Sequence, residues 1–257
     1  MAKILVQREK REVIDGKERI IIKQKIIYVR DLDKDVQTKH GVIRKEELKK
    51  KDGNVILSSH GKEFVVFSST FSDDLSRIKR LPQSMIAKDV GYILAVTGIG
   101  KKSTAIDAGV GNGFLTASLA RVCKSVVGYE INPLHFENAK ENLKSLGMTN
   151  VKIYNTSVEE PLKQKNVDLV TLDVPEPWRA LASVYNALKV GGFLVTYSPS
   201  TTQVHKTVVA LKNFPGFLRV KTVELIERSW KVDGESVRPE NIEIGHTAFM
   251  TFVRKIS

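Results

Sequence analysis

The chain has 257 residues, 42% hydrophobic and 27% charged, a globular composition with length for one large domain or two modest ones. No apolar run reaches the ~18–20 residues that span a bilayer, and the charged N-terminus lacks a signal peptide's apolar core. A cytoplasmic protein without membrane contact is therefore expected. The net charge of +12 points to a polyanionic partner, although the lysine-rich solvated surface common in heat-adapted proteins gives the same total.

Residues 1–72 read as a small, basic, β-rich domain. The β-branched segments Lys3 to Val6, Arg19 to Val29 and Asn54 to Ser59 are broken by Asp15-Gly16, Lys39-His40-Gly41, Asp52-Gly53 and His60-Gly61, a density of turn residues that predicts hairpins. Residues 1–80 hold 20 Lys and Arg against 13 Asp and Glu, more than half of the excess charge in under a third of the chain. The run Arg44 to Lys51 can contact phosphates or be a solvated loop. The polar stretch Ser68 to Asp74 marks the boundary. Residues 73–100 then form a connecting helical segment, ending in a helix to about Thr97 that Gly98 stops, placed beside the ligand edge of the C-terminal domain.

Residues 101–257 alternate strand and helix, predicting an α/β fold with a mostly parallel, Rossmann-like sheet. Ala105 to Asp107 is a short strand ending in an acid, followed by Gly109, Gly111 and Gly113 and a helix from about Asn112. Such a loop lets a ligand lie against main chain, at a helix N-terminus with unpaired N–H groups. A dinucleotide fingerprint needs G-x-G-x-x-G, and here Phe114 takes the last position. Ser125 to Glu130 is the second strand, and the Glu130 carboxylate can accept both hydroxyls of a ribose. The spacing resembles the S-adenosyl-L-methionine site of Rossmann-like methyltransferases; a nicotinamide dehydrogenase, or a glycine turn serving only strand–helix packing, are the other readings.

Pro133 to Leu146 is a helix stopped by Gly147, Val151 to Tyr154 the third strand and Val167 to Leu172 the fourth. A helix from about Trp178 to Lys189, a Gly191-Gly192 turn and a fifth strand from Phe193 to Ser198 come next. Pro199 to Thr202 caps another helix, and strands near Phe217 to Arg228 and Thr247 to Arg254 close the sheet as an antiparallel pair. The lone Cys123 reads as a small core residue, and the five histidines lack zinc spacing, so no metal is expected.

The second chemical signal is Asp173-Val174-Pro175-Glu176-Pro177-Trp178, just past the fourth strand. Two prolines hold the loop extended, so that it can present a carboxylate beside a flat base; the alternative is a rigid corner with Trp178 in the core. Asp107, Glu130 and Asp173 all stand at strand ends on one edge. With Lys88-Asp89-x-Gly91-Tyr92, Tyr197-x-Pro199-x-x-Thr202-Gln203-Val204 and Ile244 to Phe249, these pieces resemble the tRNA (adenine-N1)-methyltransferases of the T-loop, which act at position 58 and, in archaeal members, at 57. The likeness covers residues 81–257 in the family's order.

That resemblance implies 1-methyladenosine formation in tRNA, S-adenosyl-L-methionine as cofactor and a homotetramer. It implies that Asp107, Gly109, Gly111, Asn112, Gly113, Phe114, Leu115, Glu130, His135 and Asp173 hold the cofactor, with Asp173 also the catalytic group beside the target adenine. Many relatives have an Asp after the third strand for the cofactor's adenine. Here Thr156-Ser157-Val158 stands there, leaving Ser157 or Glu159 for that contact. Tyr92, Trp178 and Tyr197, with Phe114, are the aromatics available to hold a base drawn from its stack. A protein or small-molecule methyltransferase and a non-catalytic tRNA-binding subunit are the rival functions.

Overall fold

The computed structural model describes residues 2–79, 85–233, 236–241 and 244–257, and the chain divides into two units, residues 1–77 and 78–257. Part of the expected connecting segment, residues 80–84, lies outside the described residues.

The first unit is built on turns. After β1 (Lys3–Gln7), β2 (Lys10–Ile14) and β3 (Lys17–Ile22) are joined by Asp15 and Gly16, both at positive φ (54° and 71°). Such a two-residue turn matches the natural twist of a hairpin. The strand expected from Arg19 to Val29 is two strands, because β3 pairs back on β2 whereas β4 (Lys25–Val29) pairs with β1. A hairpin of β5 (Val36–Thr38) and β6 (Gly41–Ile43) leads into the single turn α1 (Lys45–Leu48). With β7 (Val55–Leu57) and β8 (Glu63–Ser68) the main sheet is antiparallel, in the order β4-β1-β8-β7, and α2 (Phe71–Leu75) comes after it. Its core gathers Leu5, Ile43, Leu48, Ile56, Phe64 and Val66. The basic run 44–51 is partly neutralised in place, with Arg44 on Asp35 (2.7 Å) and Lys50 on Glu47 (2.8 Å).

The second unit opens with α3 (Ala87–Thr97), stopped by Gly98 in the left-handed conformation. Then come β9 (Thr104–Ala108), α4 (Phe114–Val122), β10 (Ser125–Tyr129), α5 (Pro133–Ser145), β11 (Val151–Tyr154) and β12 (Val167–Leu172). A 3-10 turn at Pro177–Ala180 precedes α6 (Leu181–Ala187), β13 (Leu188–Ser198), α7 (Thr201–Leu211) and β14 (Phe217–Glu224). A separate ribbon, β15 (Trp230–Asp233) with β16 (Ser236–Pro239), comes before the last strand, β17 (Phe249–Lys255). The seven-stranded sheet runs β11-β10-β9-β12-β13-β17-β14, its first five strands parallel, β17 antiparallel to both of its neighbours, and β14 running in the direction of the first five. The expected fold class therefore holds.

Several boundaries move. The fifth strand, expected from Phe193 after a Gly191-Gly192 turn, starts at Leu188 and runs through both glycines. The helix expected to reach Lys189 ends at Ala187, because Leu188 already pairs with Val167. β14 stops at Glu224, opposite the first residue of β17, so the expected strand to Arg228 is cut short. The helix expected from Asn112 starts at Phe114, because Gly113 is its left-handed cap.

Strand alternation splits the core. Ile106, Val170, Leu172, Leu181 and Leu194 pack on one face, and Ile93, Leu119, Leu169, Val195 and Phe252 on the other. Cys123 is buried at the end of α4, its thiol pushed up to about 11 by that burial, so it is an inert packing residue. Among the described residues no helix is long and apolar enough to cross a membrane.

Candidate active site

The chain leaves β9 toward β10 and β11, then returns to lay β12 on the other side of β9. Strand order reverses there, and in open α/β sheets ligands bind beyond the carboxyl ends of strands at such a point. Glu130, Asp107 and Asp173 stand at the carboxyl ends of the neighbouring strands β10, β9 and β12. The register that aligns Gly128, Asp107 and Thr171 brings them together.

The glycine loop fits between them because of two positions in particular. Gly109 has φ +83°, and a Cβ there would lie 1.9 Å from the Asp173 carbonyl oxygen. The main chains of the two loops are stitched by the Asp173 N–H to the Ala108 carbonyl, 2.8 Å. At Gly111 φ is +57° and a Cβ would meet nothing closer than 3.9 Å, so that side of the loop is open. The Gly111 N–H donates to Glu130 Oε2 and the Asn132 N–H to Oε1, both 2.9 Å, fixing the carboxylate. Asn112 is buried. Its Oδ1 accepts from the Phe114 N–H (3.1 Å), its carbonyl accepts from Asn142 Nδ2 (2.9 Å), and its own Nδ2 has no partner among the described residues. Asn142 also exchanges hydrogen bonds with the Lys79 main chain, tying the start of this unit to the loop.

Asp107 is 1% exposed, and both of its oxygens accept from hydroxyls, Thr116 at 2.5 Å and Thr171 at 2.8 Å. Burial pushes its carboxyl up to about 6, against those two hydrogen bonds and with help from Glu130. Asp173 is pushed up to about 7, by burial first and then by the negative charges of Asp107 and Glu130. None of the three makes an ion pair among the described residues. The site is a cluster of acids held without a counter-charge.

Other expected residues fall around this centre. Phe114 and Leu115 open α4, Leu115 buried against the sheet and Phe114 packed beside it. His135 is half-buried in the first turn of α5, under the Asn132 cap. The Ser157 hydroxyl accepts from the Glu159 N–H (3.1 Å), whereas the Glu159 carboxylate is engaged by Arg179 (3.1 Å), which also holds Glu176 (3.0 Å). Trp178 packs at the edge of the core with Lys206 Nζ 4.9 Å from its ring centre. Tyr197 is buried and donates to Asp89 (2.9 Å), itself paired with Lys88 (2.7 Å), and its phenol is raised by burial and by the charges of Asp89 and Asp173. Tyr92 sits apart from the acids, edge-on to Phe252 in mid-sheet and hydrogen-bonded by Lys221 (2.8 Å).

Thr116, Thr171, Asn142, Lys88 with Asp89, and Gln203 were not singled out from sequence as individual contacts. The first two carried a usable signal: a hydroxyl in the first turn of the helix after the loop, and one two residues before Asp173.

Residues 77–247 match the family described as the tRNA methyltransferase complex GCD14 subunit. A Methanocaldococcus jannaschii protein named tRNA (adenine(57)-N(1)/adenine(58)-N(1))-methyltransferase TrmI is 33% identical over 239 residues, 81% of this chain and 84% of its own. A Thermus thermophilus tRNA (adenine(58)-N(1))-methyltransferase TrmI is 32% identical over 208 residues, 79% of this chain and 81% of its own. Among solved structures, tRNA (m1A58) methyltransferase TrmI from Aquifex aeolicus superposes with a TM-score of 0.76 at 26% identity, over 99% of this chain and 97% of that one. A Thermotoga maritima protein described as a SAM-dependent O-methyltransferase gives 0.80 at 30% identity, over 99% and 93%. With two thirds of its length inside the family match and the acid-lined glycine loop in place, the chain belongs to the GCD14/TrmI family of S-adenosylmethionine-dependent tRNA (adenine-N1)-methyltransferases.

Proposed function

We propose that this chain transfers a methyl group from S-adenosyl-L-methionine to N1 of adenine 58 in the T-loop of tRNA, and to the neighbouring adenine 57, giving 1-methyladenosine. The observation that carries the reading is Asp173, an acid at the switch point on a doubly proline-stiffened loop, pushed up to about 7 beside the glycine loop.

The residues fit the cofactor. Three uncompensated carboxylates suit a ligand bearing a sulfonium and an ammonium, the buried Asn112 Nδ2 is a donor without an acceptor, and the Gly111 side of the loop is open. Glu130 would accept from the ribose, Asp107 would favour the positive end by its charge, and His135 and Ser157 would lie along the adenosine. Glu159 serves that contact less well, because Arg179 already holds its carboxylate. The cofactor supplies a methyl group on a positively charged sulfur.

The rest is the work of the chain. Adenine N1 attacks with a neutral lone pair, so the enzyme's task is alignment and stabilisation of the charge that appears on the base. The Asp173 carboxylate would accept the N6–H of adenine, fixing its plane, and would face the developing cation. Tyr197, Trp178 and Phe114 are the aromatics we assign to a base flipped out of the tRNA elbow, whereas the Tyr92 ring packs on Phe252. Basic residues of the N-terminal unit would grip the RNA, where a groove of about 470 Å³ is lined by Lys25, Lys39 and Arg77.

A cytoplasmic homotetramer is the assembly we infer. The family resemblance implies it, and the β15–β16 ribbon exposes Trp230 (55%), Val232 (71%) and Val237 (61%), side chains that a subunit contact would cover. Methyl transfer to tRNA transcripts carrying A58→G or A57→G, with nucleoside mapping, tests the assignment. Wild-type rates on the doubly substituted transcript would overturn it, and so would an Asp173→Ala enzyme of near-normal turnover.

A further inference from the structure

The amide of Gln203 faces two ways. At the start of α7 its Oε1 accepts from the Ser200 N–H (3.1 Å), completing a capping box with the Ser200 hydroxyl. That use leaves the NH2 group free, and Nε2 donates to the Pro175 carbonyl, 2.9 Å, in the middle of the Asp173–Trp178 loop. Few hydrogen bonds hold the loop: Pro175 and Pro177 have no N–H, the Asp173 N–H fixes its beginning on Ala108, and the Arg179 N–H meets the Glu176 carbonyl (3.0 Å) while the Glu176 side chain reaches the surface residue Arg179. Val174, the buried Pro177 and Trp178 seat its two ends by packing, which leaves the Pro175 carbonyl to Gln203.

The turn that carries Gln203 is itself clamped from behind. His246 places Nδ1 2.5 Å from Glu224 Oε1 and Nε2 2.8 Å from the Pro199 carbonyl. Both partners are acceptors, so both nitrogens are satisfied only in the imidazolium form, which ties the end of β14 to the residue preceding the cap. A continuous chain of contacts therefore runs from Glu224 through His246, Pro199, Ser200 and Gln203 to Pro175, two residues from Asp173.

We propose that Gln203 is a positioning residue: its amide sets the height of the Pro175 carbonyl and thereby the aim of the Asp173 carboxylate at the target adenine. This rests on the assignment of Asp173 as the group that meets the base. A small displacement of such a group is costly, since misplacement by about 1 Å can cost on the order of 100-fold in rate.

The test is Gln203→Glu. Glutamate keeps the acceptor that the capping box needs and suits a helix N-terminus, but it cannot donate to Pro175 and sets a carboxylate against that carbonyl. Single-turnover methyl transfer at saturating tRNA and cofactor is expected to fall about tenfold or more. The melting temperature and the dissociation constants for cofactor and tRNA should match wild type. In an Asp173→Asn background the same change should have little further effect, because the group it aims is gone. Full turnover by Gln203→Glu in an enzyme that depends on Asp173 would overturn the proposal alone, as would an undiminished loss added on top of Asp173→Asn. Full turnover by Asp173→Asn would instead remove the assignment underneath it. A fall in melting temperature for Gln203→Glu as large as that of Gln203→Ala would make the contact with Pro175 a structural tie of the fold rather than an aiming contact, and would overturn the proposal.

Discussion

Asp107→Asn is expected to stabilise the cofactor-free methyltransferase unit at pH 8 while weakening its hold on the cofactor. The carboxyl is 1% exposed and raised from 3.8 to about 6, so the folded chain resists its ionisation by about two pKa units, or about 3 kcal/mol. The sign follows from proton binding. A carboxyl whose folded pKa lies above its unfolded one contributes stability that is fully present below 3.8 and lost as pH rises through 6. Wild type therefore carries the whole penalty at pH 8, and asparagine, which never ionises, carries none of it. The shape is retained, since an amide can still accept from one threonine and donate to the other. Urea unfolding at pH 5 and pH 8 measures the difference. The variant should gain up to about 3 kcal/mol at pH 8 and less at pH 5, and should bind the cofactor about 10- to 100-fold more weakly, the loss of one charged hydrogen-bonding group. A variant less stable than wild type at pH 8, or a gap that does not change with pH, would refute the reasoning.

Cofactor binding should release protons at pH 6 to 7, because a cation favours the ionised forms of Asp107 and Asp173; calorimetry in buffers of different ionisation enthalpy should then give different heats, and affinity should fall below pH 6. Gly109→Ala should lose more than 2 kcal/mol of stability and about 100-fold or more in turnover, since its methyl group would displace the Asp173 main chain from a left-handed backbone; circular dichroism melts and single-turnover assays read both effects. Trp230→Glu with Val232→Glu should yield smaller particles by light scattering if that ribbon is a subunit contact. Lys25→Glu with Lys39→Glu should weaken binding of every tRNA transcript alike and flatten its salt dependence by about two in log–log slope.

How much of the molecule was legible in the sequence depends on the range of the interactions. The glycine loop and the acids at strand ends could be read because each depends on neighbours within ten residues: a strand, a sharp turn, a helix start. Pro133 as a helix start, Gly98 as a stop and Asp15-Gly16 as a hairpin turn were legible for the same reason. What escaped depends on partners far along the chain. Thr171 is 64 residues from the acid it serves, and Gln203 is 28 from the carbonyl it holds. Glu159 is a carboxylate of the right type in the right loop, but it is spoken for by Arg179, which no local pattern shows. Tyr92 has the residue type of a base clamp, yet its ring belongs to Phe252 and its hydroxyl to Lys221, so aromatic character alone said little about its use.

The acids show how the sheet converts stability into binding. Placed separately in a protein interior, each carboxyl would simply take up a proton, which makes it useless for attracting a cation or facing a charged product. Here the Thr116 and Thr171 hydroxyls oppose the rise at Asp107, which stands at about 6, and two main-chain N–H groups fix the position of the Glu130 carboxylate. Asp173 has only its burial and the adjacent negative charges, and is raised to about 7. In the roles proposed for them, Asp107 and Asp173 both gain charge when the sulfonium arrives, and for Asp173 that charge is the one that faces the base. A base presented before the cofactor would then find a half-protonated partner, so productive alignment favours cofactor first and tRNA second. Rapid-mixing experiments with the two orders of addition separate these cases: at pH 6.5 the burst of methyl transfer should be slower when tRNA is bound first, and at pH 8.5 the two orders should converge.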